Sequence, residues 1–180
     1  RNAYGIYRSL QKYVDWSEEK GERLDEDFKS GVYLGNGLIS MILGLVPGKV
    51  LKIMEVFGYT GDTAWAMKTL SKAGQWSADP RQTKPGMSIK AEGVRRQICD
   101  MSMLAYHLVI STFIPVNGVD IEFADKVLHY NLRRYPEGVF FLYFSGRLYS
   151  TQALAEKAIT QFETARDVQK EYVQLKHICM

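Results

Sequence analysis

The sequence predicts an all-α fold: stacked antiparallel helical hairpins, a fragment of a longer helical array. Three observations carry this. Tyr143–Lys170 reads as two amphipathic segments split by Ser150, Thr151 and Gln152. The same stretch carries Gly146-x2-Tyr149, then Ala158-x3-Phe162, then Ala165. Small residues at those places let two helices approach, and the aromatics fill the wedge on either side. Finally, Ala124, Leu128 and Asn131 stand 34 residues before Ala158, Phe162 and Ala165, and Pro136 follows them. That interval is the period of a helix–turn–helix repeat.

The spacing is similar to the second half of a tetratricopeptide unit, with departures. Leu142 stands where an aromatic is expected and Ser145 where a leucine is. Asn131 replaces a small apolar residue, and Lys170 takes the place of a closing proline. An irregular helix bundle that happens to show the spacing is the alternative. Neither architecture names a chemistry by itself.

Taken in order, Ala3–Glu19 reads as an amphipathic helix with Ile6, Leu10, Tyr13 or Val14, and Tyr7 on the apolar side, ended by Gly21. Leu24–Asp27 supplies carboxylates for the next helix N-terminus. Gly31–Val46 carries no charge. It is short for a membrane span, which needs about 20 apolar residues, and lacks a complete nucleotide-loop fingerprint. We take it as a helix buried on all sides, with membrane contact as the competing reading. Pro47-Gly48 breaks the chain before a short apolar helix, Lys49–Phe57. Gly58–Gly61 turns, Asp62 caps the helix Thr63–Ala73, and Gly74 stops it. Residues 1–74 thus form an N-terminal helical layer. Gln75–Gly93, with two prolines and few apolar residues, reads as a flexible, exposed linker. Residues 94–180 hold the repeat-like hairpins. Val94–Ile114 pairs with Asp120–Arg134, Val139–Tyr149 pairs with Gln152–Val168, and Tyr172–Met180 opens a truncated third hairpin.

At 180 residues with mixed charge, the chain suits one domain or a short run of repeats. A net charge of +3 does not suggest a nucleic-acid binder. The two cysteines, Cys99 and Cys179, form no CxxC pair, which fits a reducing compartment. The chain opens at Arg1 without a signal peptide and closes inside a new helix, so a piece of a longer protein is expected. His107, His129 and His177 each stand alone, with no metal-ligand spacing. No nucleophile frame or phosphate loop is present. We therefore assign no catalytic, cofactor or metal residues. The basic pairs Arg95-Arg96 and Arg133-Arg134 suit an acidic peptide or lipid headgroups, or else a solvated face. Phe140–Phe144 is too aromatic for one helix face and must pack against both neighbours or a partner.

Three further stretches stand out: FKSGVYLGNGLISMILGLVPGKVLKIMEVFGYTGD, MLAYHLVISTFIP and RRYPEGVFFLYFSGRL. Together they resemble the tetratricopeptide repeat protein 39 family, which includes fungal inclusion-body clearance (outer-membrane-protein-like) proteins. The resemblance covers most of Phe28–Met180 except the linker. It implies a helical-repeat protein without enzymatic activity, linked to clearance of misfolded-protein inclusions and to lipid homeostasis. It also implies a cytoplasmic location, with the nucleus, the mitochondrial outer membrane and lipid droplets as further sites. Chaperone capture has only scattered support, in Arg147 and Lys157. Two readings of function follow. In one, a scaffold holds a protein partner through Tyr143 and Arg147, with Arg95 and Arg96 as further contacts. In the other, Gly31–Val46 or exposed aromatics touch a membrane or lipid-droplet surface.

Overall fold

A computed structural model describes residues 2–168. Every regular element among them is helical. The chain divides into two compact units. Unit 1 takes Arg1–Ser77 and Pro85–Met103. Unit 2 takes Ala78–Lys84 and Leu104–Met180, of which 169–180 lie outside the described residues. The expected third hairpin, with His177 and Cys179, falls there.

Unit 1 is organised around the glycine-rich helix. It contains α1 (Asn2–Lys20), α2 (Glu26–Gly44), α3 (Gly48–Val56) and α4 (Thr63–Lys72). Asp25 caps α2 by accepting the Phe28 N–H at 3.0 Å, and Glu26 and Asp27 complement the positive helix end. Glycines set how closely α2 packs. A Cβ at Gly35 would lie 2.0 Å from the Tyr7 ring of α1, and one at Gly37 would lie 2.6 Å from Leu70 of α4. Asn36, buried between them, donates to the Tyr7 carbonyl at 2.8 Å and the Val32 carbonyl at 3.0 Å. The loop before α4 closes the far end. Gly58 turns with φ +82°, and Gly61 presses on α2, where a Cβ would meet Gly44 N at 2.3 Å. Asp62 then caps α4 through the Trp65 N–H at 2.9 Å.

The expectation that this helix is buried on all sides needs correction. Val32, Tyr33, Asn36, Met41 and Leu43 are buried, but Ile42 is 58% exposed. No described helix is long and apolar enough to cross a membrane.

The division of the chain also differs from the expected linker over 75–93. Its ends are held to unit 1. Trp76 is buried and donates to Asp100 Oδ1 at 2.9 Å. Met87 N–H pairs with the Gly74 carbonyl at 3.2 Å. Gly93 sits so close to α2 that a Cβ would lie 2.1 Å from the Glu26 carbonyl oxygen, and Val94 N–H donates to Asp27 at 2.8 Å. Composition counted prolines and polar residues here. The few anchors, Trp76, Met87 and Gly93, decide the packing.

The two units meet in sequence within α5 (Arg96–Ala105), which continues through a π-helical turn (Tyr106–Ile110) into α6 (Ser111–Phe113). Unit 2 adds α7 (Ile121–Arg134), α8 (Val139–Thr151) and α9 (Ala155–Val168). Asp120 caps α7 by accepting the Phe123 N–H at 2.8 Å. The π turn, α7 and α8 pack on one another, and α9 packs on α8. The expected crossing is present: a Cβ at Gly146 would lie 2.5 Å from the Phe162 ring, while Ala158 and Ala165 are buried. Asn131 is also buried and donates to the Val127 carbonyl at 2.9 Å. Its own helix therefore takes up the amide N–H where the repeat pattern wants an apolar side chain. The aromatic run divides: Phe141 and Phe144 go into the core and Phe140 faces out.

Candidate interaction surface

In unit 2 the outward side of α8 carries Phe140, Tyr143 and Arg147 at i, i+3 and i+7, one stripe of a helix. Phe140 is exposed, and Tyr143 and Arg147 are half-buried. Tyr143 leans on Phe162 of α9, ring centres 5.7 Å apart. Arg147 reaches the other way. Its Nε donates to the Leu108 carbonyl at 3.3 Å, a terminal nitrogen donates to Thr112 Oγ1, and its guanidinium lies 5.6 Å from the Phe113 ring centre. Phe113 itself is 75% exposed.

The π turn explains why Arg147 finds acceptors there. Widening the helix loosens the regular carbonyl ladder, and side chains take up three successive oxygens. Ser111 Oγ donates to the His107 carbonyl at 2.7 Å, Arg147 to Leu108, and Thr112 Oγ1 to Val109 at 2.7 Å. The turn also ties down the loop that follows. Tyr106 Oη donates to the Asn117 carbonyl at 2.7 Å, and His107 Nδ1 accepts the Asp120 N–H at 3.1 Å. Burial holds the imidazole neutral, lowering its pKa to about 4 against the pull of Asp120. Nothing in the residue pattern signalled a π turn. Arg147 was legible, but its role in bracing the turn was not.

The other expected contacts separate. Arg95 is exposed, donates to the Asp27 carbonyl at 3.3 Å and lies along Gly31. Arg96 is wholly buried, which corrects its assignment to a partner surface. Its Nε lies 2.7 Å from Glu92 Oε2, and its other arm pairs with Asp100. A guanidinium so enclosed joins its own chain. Of the second basic pair, Arg133 donates to the Thr83 carbonyl at 3.4 Å, and Arg134 lies over Tyr135.

Cys99 is buried, its thiol pushed up to about 12 by burial and then by Asp100, so it carries no ready thiolate. Among the described residues no cluster of three His, Cys, Asp or Glu is arranged to hold a metal ion. Two grooves escaped the sequence reading. One, of about 450 Å³, runs along α7 beside residues 78–84, with Lys126, His129 and Arg133 in its wall. The other, of about 540 Å³, lies between α1 and α4 in unit 1 and sets Asp15, Glu18 and Glu19 against Lys68 and Lys72.

Packed helical hairpins in unit 2, repeating at 34 residues and offering an aromatic and arginine stripe, define a helical-repeat protein of tetratricopeptide type. The chain belongs to the Iml2/Tetratricopeptide repeat protein 39 family, whose family model matches residues 1–180. It is similar to tetratricopeptide repeat protein ttc-39B of Caenorhabditis elegans, 26% identical over 183 residues. That match covers 99% of this chain but only 29% of the relative. No solved structure matches.

Proposed function

We propose that this chain is part of a non-enzymatic scaffold that holds a protein partner on the α8 face of unit 2. The observation that carries the reading is the stripe Phe140–Tyr143–Arg147 with Phe113 beside it. Two exposed aromatic rings and a braced arginine are the residue types that dominate binding energy at interfaces. Arg147 is held in place by Leu108 and Thr112, so little side-chain freedom remains to be lost on binding. Through the resemblance of its sequence stretches we place the protein in the clearance of misfolded-protein inclusions and in lipid homeostasis. We place it in the cytoplasm, with the mitochondrial outer membrane and lipid droplets as further sites.

The test is affinity capture from cells with quantitative mass spectrometry, comparing wild type with Phe113→Asp and Phe140→Asp. Both side chains are exposed, so folding is expected to survive. A defined set of proteins should be lost from both variants. Identical recovery by wild type and both variants would remove the α8 face from consideration.

A further inference from the structure

We propose that α3 is a membrane-surface element whose outward face seats on a bilayer carrying anionic headgroups. The proposal rests on the lipid side of the reading above and assigns it to a site. None of the side chains of α3 is buried. Val50, Ile53 and Phe57 stand at i, i+3 and i+7 and are 47%, 63% and 62% exposed, and Val56 is 83% exposed. Leu51 and Met54 are the residues turned partly inward.

The charges are sorted to match. Lys49 stands seven residues before Val56 and four before Ile53, within the exposed apolar face, and Lys52, four before Val56, stands at its edge. Neither has an ion-pair partner among the described residues. Glu55, two residues from both Ile53 and Phe57, lies on the side of the helix away from them, three residues from Lys52. An apolar ridge that carries two lysine stems, with the one carboxylate away from Ile53 and Phe57, is complementary to an anionic interface: hydrocarbon below, phosphate reached by the lysine tips. Pro47 and Gly58, the latter at φ +82°, bound the helix and set it off as a discrete unit.

Flotation of the 180-residue chain tests this, using phosphatidylcholine vesicles with and without phosphatidylserine. Wild type is expected to float with the phosphatidylserine vesicles and to be released by salt. Lys49→Ala and Lys52→Ala should each weaken partition by about fivefold. Ile53→Asp and Val50→Asp should abolish it while melting like wild type by circular dichroism, since neither side chain is buried. Three outcomes overturn the proposal. One is a wild type that stays at the bottom, which leaves α3 to a protein groove. Another is equal flotation on phosphatidylcholine alone. The third is loss of flotation in Ile42→Asp with none in the two α3 variants, which would keep the lipid reading and remove α3 from it.

Discussion

The helices α2 and α3 follow one another in the chain and are held in opposite ways. From Gly31 to Val46 the sequence has no charge, yet this helix lies in the core of unit 1. Three neighbours cover it: α1 at Gly35, α4 at Gly37, and the Gly93–Cys99 segment at Glu26–Gly31. The helix α3 carries Lys49, Lys52 and Glu55 among apolar residues and buries no side chain. Both helices are apolar on average, the buried α2 the more so, and their glycines separate them further. In α2 four glycines face a neighbour at close range, Gly31 and Gly37 a side chain, Gly35 the Tyr7 ring and Gly44 the Thr63 side chain and backbone, and α3 has none in its interior.

The largest expected effect comes from removing one of the covers of α2. Arg96 holds the start of α5 by pairing with Glu92 and Asp100, where Trp76 also donates. Arg96→Leu leaves two carboxylates in a buried site with their cation gone, which costs about 3–5 kcal/mol. A denaturant titration followed by tryptophan fluorescence would measure it. A loss within about 0.5 kcal/mol would mean the segment is held by apolar contacts alone.

Next in size is the close approach at the C-terminal end of α2. In Gly61→Ala the new Cβ meets Gly44 N and Leu43 C, each 2.3 Å away. Backbone cannot step aside as a side chain can, so about 2–3 kcal/mol should be lost. Gly48→Ala on α3 is the matched control, because nothing lies within 4 Å of its Cβ. It should leave stability unchanged or raise it by up to about 1 kcal/mol. Equal melting temperatures for the two variants would dissolve the contrast between the helices.

A smaller, pH-dependent effect marks the α1–α2 contact. Tyr33 of α2 donates to Glu18 of α1 at 2.5 Å, and Lys29 lies 3.2 Å from the same carboxylate. Burial opposes ionisation of Glu18, but the Tyr33 and Lys29 hydrogen bonds and the nearby lysines together hold its pKa below the usual carboxylate value. Its contribution is present above the unfolded carboxylate pKa and fades as pH falls through the depressed folded value. Burial, then Glu18, raises the Tyr33 pKa, so the folded phenol keeps its proton where the unfolded one releases it. That contribution is intact below about pH 10 and declines above it. Tyr33→Phe should flatten the alkaline decline and weaken the acid one, read from melting temperature against pH.

How much was legible depended on how local the cause was. The turn Gly58–Gly61 and the cap Asp62 could be read directly, because each has a short sequence signature, whereas the close approach of Gly61 to α2 could not. Gly146, Ala158 and Phe162 were legible through their period. Arg96 was not, since its burial depends on Trp76, twenty residues earlier, folding back to Asp100. The π turn was invisible for another reason: one extra residue per hydrogen-bonded ring leaves no composition mark. The stripe on α3 showed a helix but not whether anything covers it, because periodicity reports a face and never its neighbour.

The smallest effect is the most direct probe of that last point. Ile53→Asp should change the stability of unit 1 by no more than about 0.5 kcal/mol, the range of ordinary surface substitutions. Placing the same charge on α2 by Val32→Asp should unfold the unit or cost several kilocalories per mole, since Val32 is 2% exposed and a buried unpaired carboxylate is expensive. Thermal melts of the pair at neutral pH and modest protein concentration check both. If Ile53→Asp instead melts far below wild type, α3 is covered in solution by a second copy or by more of its own chain. Diluting the wild type separates those two, because only the first makes the melting temperature depend on concentration. A flat response to dilution together with an unchanged Ile53→Asp melt means that α3 stays open in the isolated chain, and that its apolar side chains are free for a partner.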